Sequence, residues 1–144
     1  MIRKINKNDR EFYINSVNAF YHSEAVLHAI PEENIIKTFD ELMASDTYAQ
    51  CYIFEEEEKR VGYALLAKTF SQEAGGVTLW IDEIYILPEF RSMGIGSKFL
   101  QYLKENFDAA RLRLELCPSN EKALEVYKKQ GFKPLKYDQM IFES

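Results

Sequence analysis

Ile81-Asp82-Glu83-Ile84-Tyr85-Ile86-Leu87-Pro88-Glu89-Phe90-Arg91-Ser92-Met93-Gly94-Ile95-Gly96-Ser97-Lys98 is the stretch that decides how this chain folds. Its first half closes a run from Val77 to Leu87, rich in β-branched and aromatic residues, that reads as a central strand. Pro88 stops the run, because proline has no N–H to give to a ladder. From Gly94 onward the apolar residues take helical spacing. Ile95, Phe99, Leu100, Leu103 and Phe107 fall on one side, with Lys98, Gln101 and Lys104 on the other. The glycines therefore stand where a strand hands over to a helix. There, small residues let a ligand approach the backbone, and the first helical N–H groups are unpaired beside the positive dipole end. This is a site for an anion, and Ser97 and Lys98 add a hydroxyl and a positive charge.

Downstream, Leu112, Leu114 and Leu116 alternate with Arg111, Arg113 and Glu115, so the chain returns as a strand. Strand, helix and strand make a crossover unit, which is right-handed and leaves its two strands parallel. Pro118, Ser119 and Asn120 end the second strand. A helix follows from Glu121 to Gln130, closed by Gly131, and two short strands complete the chain. Upstream, Ala74-Gly75-Gly76 breaks the chain before the central strand. Tyr48 to Phe54 and Val61 to Phe70 read as a hairpin whose solvated tip is the acidic run Glu55 to Glu58. Before it, Phe12, Val17, Phe20 and Tyr21 mark one amphipathic helix. A second starts with Pro31 in its first turn and carries the stripe Ile35, Ile36, Phe39, Leu42 and Met43. The fold class is α/β, a sheet with antiparallel margins around one parallel crossover.

Of the 144 residues 47% are hydrophobic and 14% aromatic, enough for one domain, residues 1–144, to bury an ordinary core without disulfides or a structural metal. A net charge of -5 argues against a phosphate-binding surface for nucleic acid, which is built on Lys and Arg. Cys51 and Cys117 stand apart, without metal-ligand spacing, and fit a reducing cytoplasm. His22 and His28 also lack such spacing. The basic start Met1 to Lys7 is not followed by the apolar run of a signal peptide or membrane span, so a cytoplasmic protein with no membrane partner is expected. Nothing in the chain excludes a homodimer.

Two phosphate motifs fail at the glycine turn. No Lys-Ser or Lys-Thr pair follows in P-loop spacing, and the third glycine of a dinucleotide fingerprint is missing. Instead the sequence resembles the GNAT superfamily of N-acetyltransferases, whose motif is Arg or Gln, two residues, Gly, one residue, then Gly or Ala. Arg91, Gly94 and Gly96 match it, and Asn120, Ala123, Tyr127, Gly131 and Phe132 match the family's second signature. The resemblance covers about Val61 to Phe142 and implies a mixed, centrally splayed sheet of about six or seven strands flanked by about four helices. It implies acetyl-CoA as co-substrate, lying in the opening of the sheet. The pantetheine arm would pair with the backbone of Ile84, Tyr85 and Ile86, and the pyrophosphate would rest on Arg91, Ser92, Met93, Gly94, Ile95, Gly96 and Ser97. Asn120 would serve the pantetheine amides, or cap its helix.

Acetyl transfer to an amine needs a neutral nitrogen, donors for a developing oxyanion, and a proton for the leaving thiolate. Asp82 and Glu83 interrupt an otherwise apolar strand, where an unpartnered carboxylate is costly. Either could accept the substrate's proton or hold a cation. Strand alternation sends them to opposite faces, Asp82 with Ile84 and Ile86, Glu83 with Tyr85, and Asp82 is the choice for the cleft unless a bulge intervenes. The resemblance brings Tyr127 to the CoA sulfur as proton donor. Cys117 ends a strand without a nearby His, so a covalent route is not needed. The expected activity is acetyl transfer to a primary amine of a small cationic molecule. A protein or peptide amino group, or a non-catalytic acyl-CoA sensor, are the alternatives.

Overall fold

The computed structural model describes all 144 residues. Five strands form one sheet in chain order: β1 (Ile2–Lys4), β2 (Ala49–Glu56), β3 (Lys59–Ser71), β4 (Gly76–Ile86) and β5 (Arg111–Leu114). The first four run antiparallel to their neighbours, and β4 pairs with β5 in parallel. Four helices flank the sheet: α1 (Arg10–Tyr21), α2 (Glu32–Ala44), α3 (Ile95–Asn106) and α4 (Glu121–Lys129). No helix is long and apolar enough to cross a membrane.

Alternation along the strands divides the core in two. Cys51, Ile53, Tyr63, Leu65 and Tyr85 face α1 and α2, which present Tyr13, Val17, Phe20, Ile35, Phe39 and Leu42. Tyr52, Phe54, Ala64, Leu66 and Ile81 face α3, which presents Ile95, Phe99, Leu100 and Leu103. The stripe of α1 thus centres on Tyr13, which is 1% exposed, rather than on Phe12. In α2, Met43 lies on the exposed side and Pro31 is the N-cap, so the helix proper begins at Glu32. Proline suits that place, because the residue preceding the first turn needs no amide bond.

The hairpin of β2 and β3 turns at Glu57 and Glu58, both of which carry positive φ, 49° and 65°. Such a turn matches the twist of the flanking strands, and charged side chains there stay solvated. Its base is clamped to the amino-terminal strand. Arg3 donates to both oxygens of Asp9 at 2.8 and 2.9 Å and to Glu55 at 2.7 Å, and Arg60 donates to Asp9 at 2.7 Å. Asp9 is fully buried and also accepts from the Asn6 amide. Burial works against its charge, yet these donors hold its pKa down to about 2.

Five strands stand where six or seven were expected. The carboxy-terminal residues after Phe132 join no ladder, and β5 ends at Leu114 rather than Leu116. A strand exists only through its neighbour's hydrogen bonds. β5 has β4 on one side and none on the other, and even the β4 ladder stops at the pair Ile81 and Leu114. Beyond that point β4 runs on to Ile86 beside β3 alone, so the sheet is split open between β4 and β5.

Candidate active site

The split begins at a bulge. Across β3 and β4, Leu66 pairs with Ile81 and Leu65 with Glu83, so Asp82 is the extra residue. Ile81 faces α3, whereas Glu83 and Tyr85 face α1 and α2, and Ile84 and Ile86 return to the α3 side. Glu83 therefore keeps the face expected from its register with Tyr85. Asp82 does not simply share the face of Ile84 and Ile86, because the bulge takes it out of the alternation.

The two carboxylates receive opposite treatment. Glu83 is 7% exposed and accepts from the Tyr21 hydroxyl at 2.6 Å and the Tyr63 hydroxyl at 2.6 Å. Burial raises its pKa, and the two phenols oppose the rise by stabilising the charged form. Asp82 has no such donors. With Tyr21, Trp80, Ile81, Glu83 and Glu115 it lines a small hollow of about 180 Å³ at the head of the split. Asp82 is itself exposed at the mouth of this hollow, and partial loss of water there, with Glu83 and Glu115 as like charges, raises its pKa to about 6. An acid poised there is ionised at neutral pH yet basic enough to accept a proton.

At the other end of the split, β4 gives way through a short 3₁₀ turn, Pro88–Phe90, to the start of α3. Arg91 folds back: its Nε donates to the Ile86 carbonyl at 2.8 Å, and its guanidinium sits 5.5 Å from the Tyr85 ring centre. It fixes the end of β4 as well as lining the turn. Ser92 and Gly94 have φ of 63° and 78°, so Gly94 is explained first by a left-handed backbone. Gly96 is different. A Cβ there would meet only the Ile86 side chain at 3.8 Å, so the fold itself leaves the space above it open. Met93 is exposed and Ile95 is buried in the core. No side chain caps α3, which leaves the amides of Ile95, Gly96 and Ser97 aimed outward from the first turn. Behind β4, Gly62 allows a close approach that no other residue could: an added Cβ would lie 2.3 Å from the Tyr85 carbonyl and 3.1 Å from the Ile86 Cα.

Tyr127 stands on α4, half-buried, with its ring 5.7 Å from Phe132 in an edge contact. Burial raises its pKa, and its hydroxyl has no hydrogen-bond partner in the chain. It lines a groove of about 730 Å³ between β5, α4 and the carboxy-terminal segment, and Glu115 lines both this groove and the acidic hollow. The phenol and the carboxylates are thus brought to either side of the end of β5. Asn120 acts as a cap here, accepting from the Ala123 amide at 3.3 Å. Cys117 is partly exposed and Cys51 is buried.

Three residues around the two carboxylates escaped the sequence. Tyr21 and Tyr63 lie 62 and 20 positions from Glu83 and read only as core aromatics. Glu115 read as the polar half of an alternating strand. A carboxylate in an apolar strand was the one available signal that hydroxyl donors must sit nearby.

The fold, a mixed sheet with one parallel crossover flanked by four helices, is shared with solved structures of acetyltransferases. A possible acetyltransferase from Clostridium difficile 630 superposes with a TM-score of 0.85 at 18% identity, over 100% of this chain and 97% of that one. AAC(6')-Iy, in complex with the bisubstrate analogue CoA-S-monomethyl-acetylneamine, superposes at 0.80 and 16% identity, over 100% and 97%. The fold is that of this class of enzyme. Residues 11–132 match the Acetyltransferase (GNAT) family, and the chain belongs to that family, whose co-substrate is acetyl-CoA. Among curated relatives, thialysine N-epsilon-acetyltransferase of Bos taurus is 33% identical over 78 residues, 52% of this chain and 45% of that protein. The chain therefore spans less than half of that relative's length.

Proposed function

We propose that this chain transfers the acetyl group of acetyl-CoA directly to a primary amine of a small cationic molecule. The observation that carries the reading is the split of the sheet beyond Ile81 and Leu114, headed by a hollow that holds Asp82, Glu83 and Glu115. Three carboxyl groups around about 180 Å³ favour a compact ammonium group over a neutral acceptor. The small volume favours a small molecule over a peptide chain. The relative's name, thialysine N-epsilon-acetyltransferase, speaks of an acceptor of the same chemical kind.

The residues divide the work as follows. Acetyl-CoA supplies an acyl thioester, and the free side of β4 from Ile84 to Ile86 offers backbone groups to its amide-bearing arm. The first-turn amides of α3, the open space above Gly96, Ser97 and Lys98 suit its pyrophosphate, with Ser92 and Met93 beside them. Asp82 takes a proton from the ammonium, directly or through a water. Glu83, locked by Tyr21 and Tyr63, holds the positive charge in register. The freed amine attacks the carbonyl carbon and a β4 amide near Ile86 donates to the oxygen; as the C–S bond breaks the Tyr127 phenol gives its proton to the departing sulfur, and the proton lost from the acylated nitrogen restores the phenol, leaving neutral amide and free CoA thiol.

Two measurements test this. Calorimetry should show acetyl-CoA binding to the parent and much weaker binding to Gly96→Val, whose side chain fills the open space without a backbone penalty of the kind at Gly94. A thiol-release screen over small diamines, amino sugars, neutral amines and peptides should find turnover with the first two. Binding without turnover on any amine would leave an acyl-CoA sensor, and turnover confined to peptides would move the acceptor class.

A further inference from the structure

The helix that carries Tyr127 has little to hold it. None of the nine residues of α4 is buried, whereas α3 sinks Ile95, Phe99, Leu100 and Leu103 into the core. Beyond β5, only Tyr127 and Phe132 pack against that core, and both are partly exposed. A two-turn helix resting on two rings is free to fray and slide unless something else fastens it. Any such movement would carry the phenol away from the split in the sheet.

Two crossed backbone bonds close the carboxy-terminal end of α4. The Phe132 amide donates to the Tyr127 carbonyl at 3.0 Å and the Gly131 amide to the Lys128 carbonyl at 3.0 Å, with Gly131 at a φ of 92°. This is the Schellman arrangement, in which the residue two beyond the cap packs on the residue that accepts its bond. Here those residues are Phe132 and Tyr127, whose ring centres stand 5.7 Å apart. The closure of the helix therefore sets the direction of the Tyr127 side chain. It leaves the carbonyl of the cap residue, Gln130, without a helical partner at the negative end of the dipole.

Lys104 takes that carbonyl. Its Nζ donates to the Gln130 carbonyl at 2.6 Å and to Gln130 Oε1 at 3.1 Å. Lys104 lies in the last turn of α3, next to Leu103 and four residues after Leu100, both fully buried, so its backbone belongs to the rigid part of the molecule. No other hydrogen bond or ion pair joins residues 117–136 to the rest of the chain. One cation thus ties the closed end of α4, one turn beyond Tyr127, to a helix that cannot shift.

We propose that Lys104 is the positioning residue for the Tyr127 phenol: it fastens α4 to α3 and so holds the hydroxyl where the sulfur departs. The inference rests on the reading of Tyr127 as proton donor. Lys104 itself acts only through Gln130. It stands nine residues after Ile95, roughly 13 Å along α3 from the first-turn amides, so the two ends of one helix serve cofactor binding and donor placement separately.

The test compares the parent with Lys104→Met, Lys104→Arg, Tyr127→Phe and the double variant K104M/Y127F. Lys104 is exposed, so its replacement leaves the core intact. Hydrogen exchange needs no acceptor: in Lys104→Met the Gln130 and Phe132 amides should exchange about tenfold faster, with α3 at the parental rate. Single-turnover transfer to the diamine or amino sugar with the fastest thiol release should slow by about 10- to 10²-fold, the loss that a displacement of about 1 Å entails. Acetyl-CoA affinity by calorimetry should not change. Lys104→Arg keeps the charge and a donor of similar reach, and should recover most of the rate. Adding Lys104→Met to Tyr127→Phe should cost nothing further, because an absent hydroxyl cannot be misplaced, whereas a merely structural lysine would slow both backgrounds equally. Unchanged exchange in Lys104→Met, a parental rate in Lys104→Met beside a slow Tyr127→Phe, or equal slowing of both backgrounds would each overturn the inference alone. A Tyr127→Phe variant as fast as the parent would overturn the donor reading and the inference with it.

Discussion

In the proposed mechanism Asp82 takes the proton of the amine, and replacing it with asparagine removes its charge while keeping its shape. Its pKa is raised from the ordinary 3.8 to about 6, by loss of water first and then by Glu83 and Glu115. With that value it is about one-tenth ionised at pH 5 and about nine-tenths ionised at pH 7. If it accepts the amine's proton, kcat/KM of the parent should rise about tenfold between those pH values and level off above. Asp82→Asn should abolish this acid limb and lower the plateau by roughly 10²- to 10⁴-fold, the range of a lost general base. Glu115→Gln removes one like charge and should move the limb to lower pH with a smaller loss of rate. The assay is thiol release followed from pH 5 to pH 9 on the best acceptor found. Stability separates chemistry from damage. Because the folded pKa lies above the unfolded one, the folded state binds the proton more tightly, and ionisation of Asp82 weakens the fold as pH rises through about 6. Asp82→Asn should thus melt no lower than the parent at pH 8. An acid limb that persists unchanged in Asp82→Asn, or a parental plateau, would refute the assignment.

Tyr127→Phe keeps the ring against Phe132 and should lower kcat by roughly 10²-fold or more, with little change in acetyl-CoA affinity by calorimetry. An unaltered single-turnover rate would remove the phenol from the mechanism. Gly62→Ala places a methyl 2.3 Å from the Tyr85 carbonyl, so β3 and β4 must separate, at a cost of about 2–3 kcal/mol in urea unfolding. It should also weaken acetyl-CoA binding, since the displaced residues include Ile86; a variant as stable as the parent would mean the strands move freely. Asp9, with a pKa held down to about 2, contributes about 2 kcal/mol that is present above pH 4 and lost as pH falls toward 2. Asp9→Asn should lack that acid-dependent loss in chemical denaturation, and a loss equal to the parent's would place the acid sensitivity elsewhere.

The sequence by itself determined the elements that local chemistry dictates. β4, α3, the glycine turn between them and α4 follow from periodicity, Pro88 and Gly131, and their spacing pointed to the family before any coordinate was known. The candidates Asp82 and Glu83 stood out as carboxylates in an otherwise apolar strand, whereas Tyr127 was singled out only by the family resemblance. Tertiary structure alone decided what surrounds them. The bulge that lifts Asp82 out of the alternation arises because β3 offers one residue, Leu65, opposite two of β4, and one strand's sequence carries no record of its neighbour's register. Tyr21 and Tyr63 reach Glu83 from elements far away in sequence, so the difference between a locked carboxylate and a poised one could not be read locally. The count of strands failed for a related reason. Two short strands were expected in the carboxy-terminal segment, but a strand is completed by hydrogen bonds from a neighbour, and this segment forms no ladder with the free edge of β5.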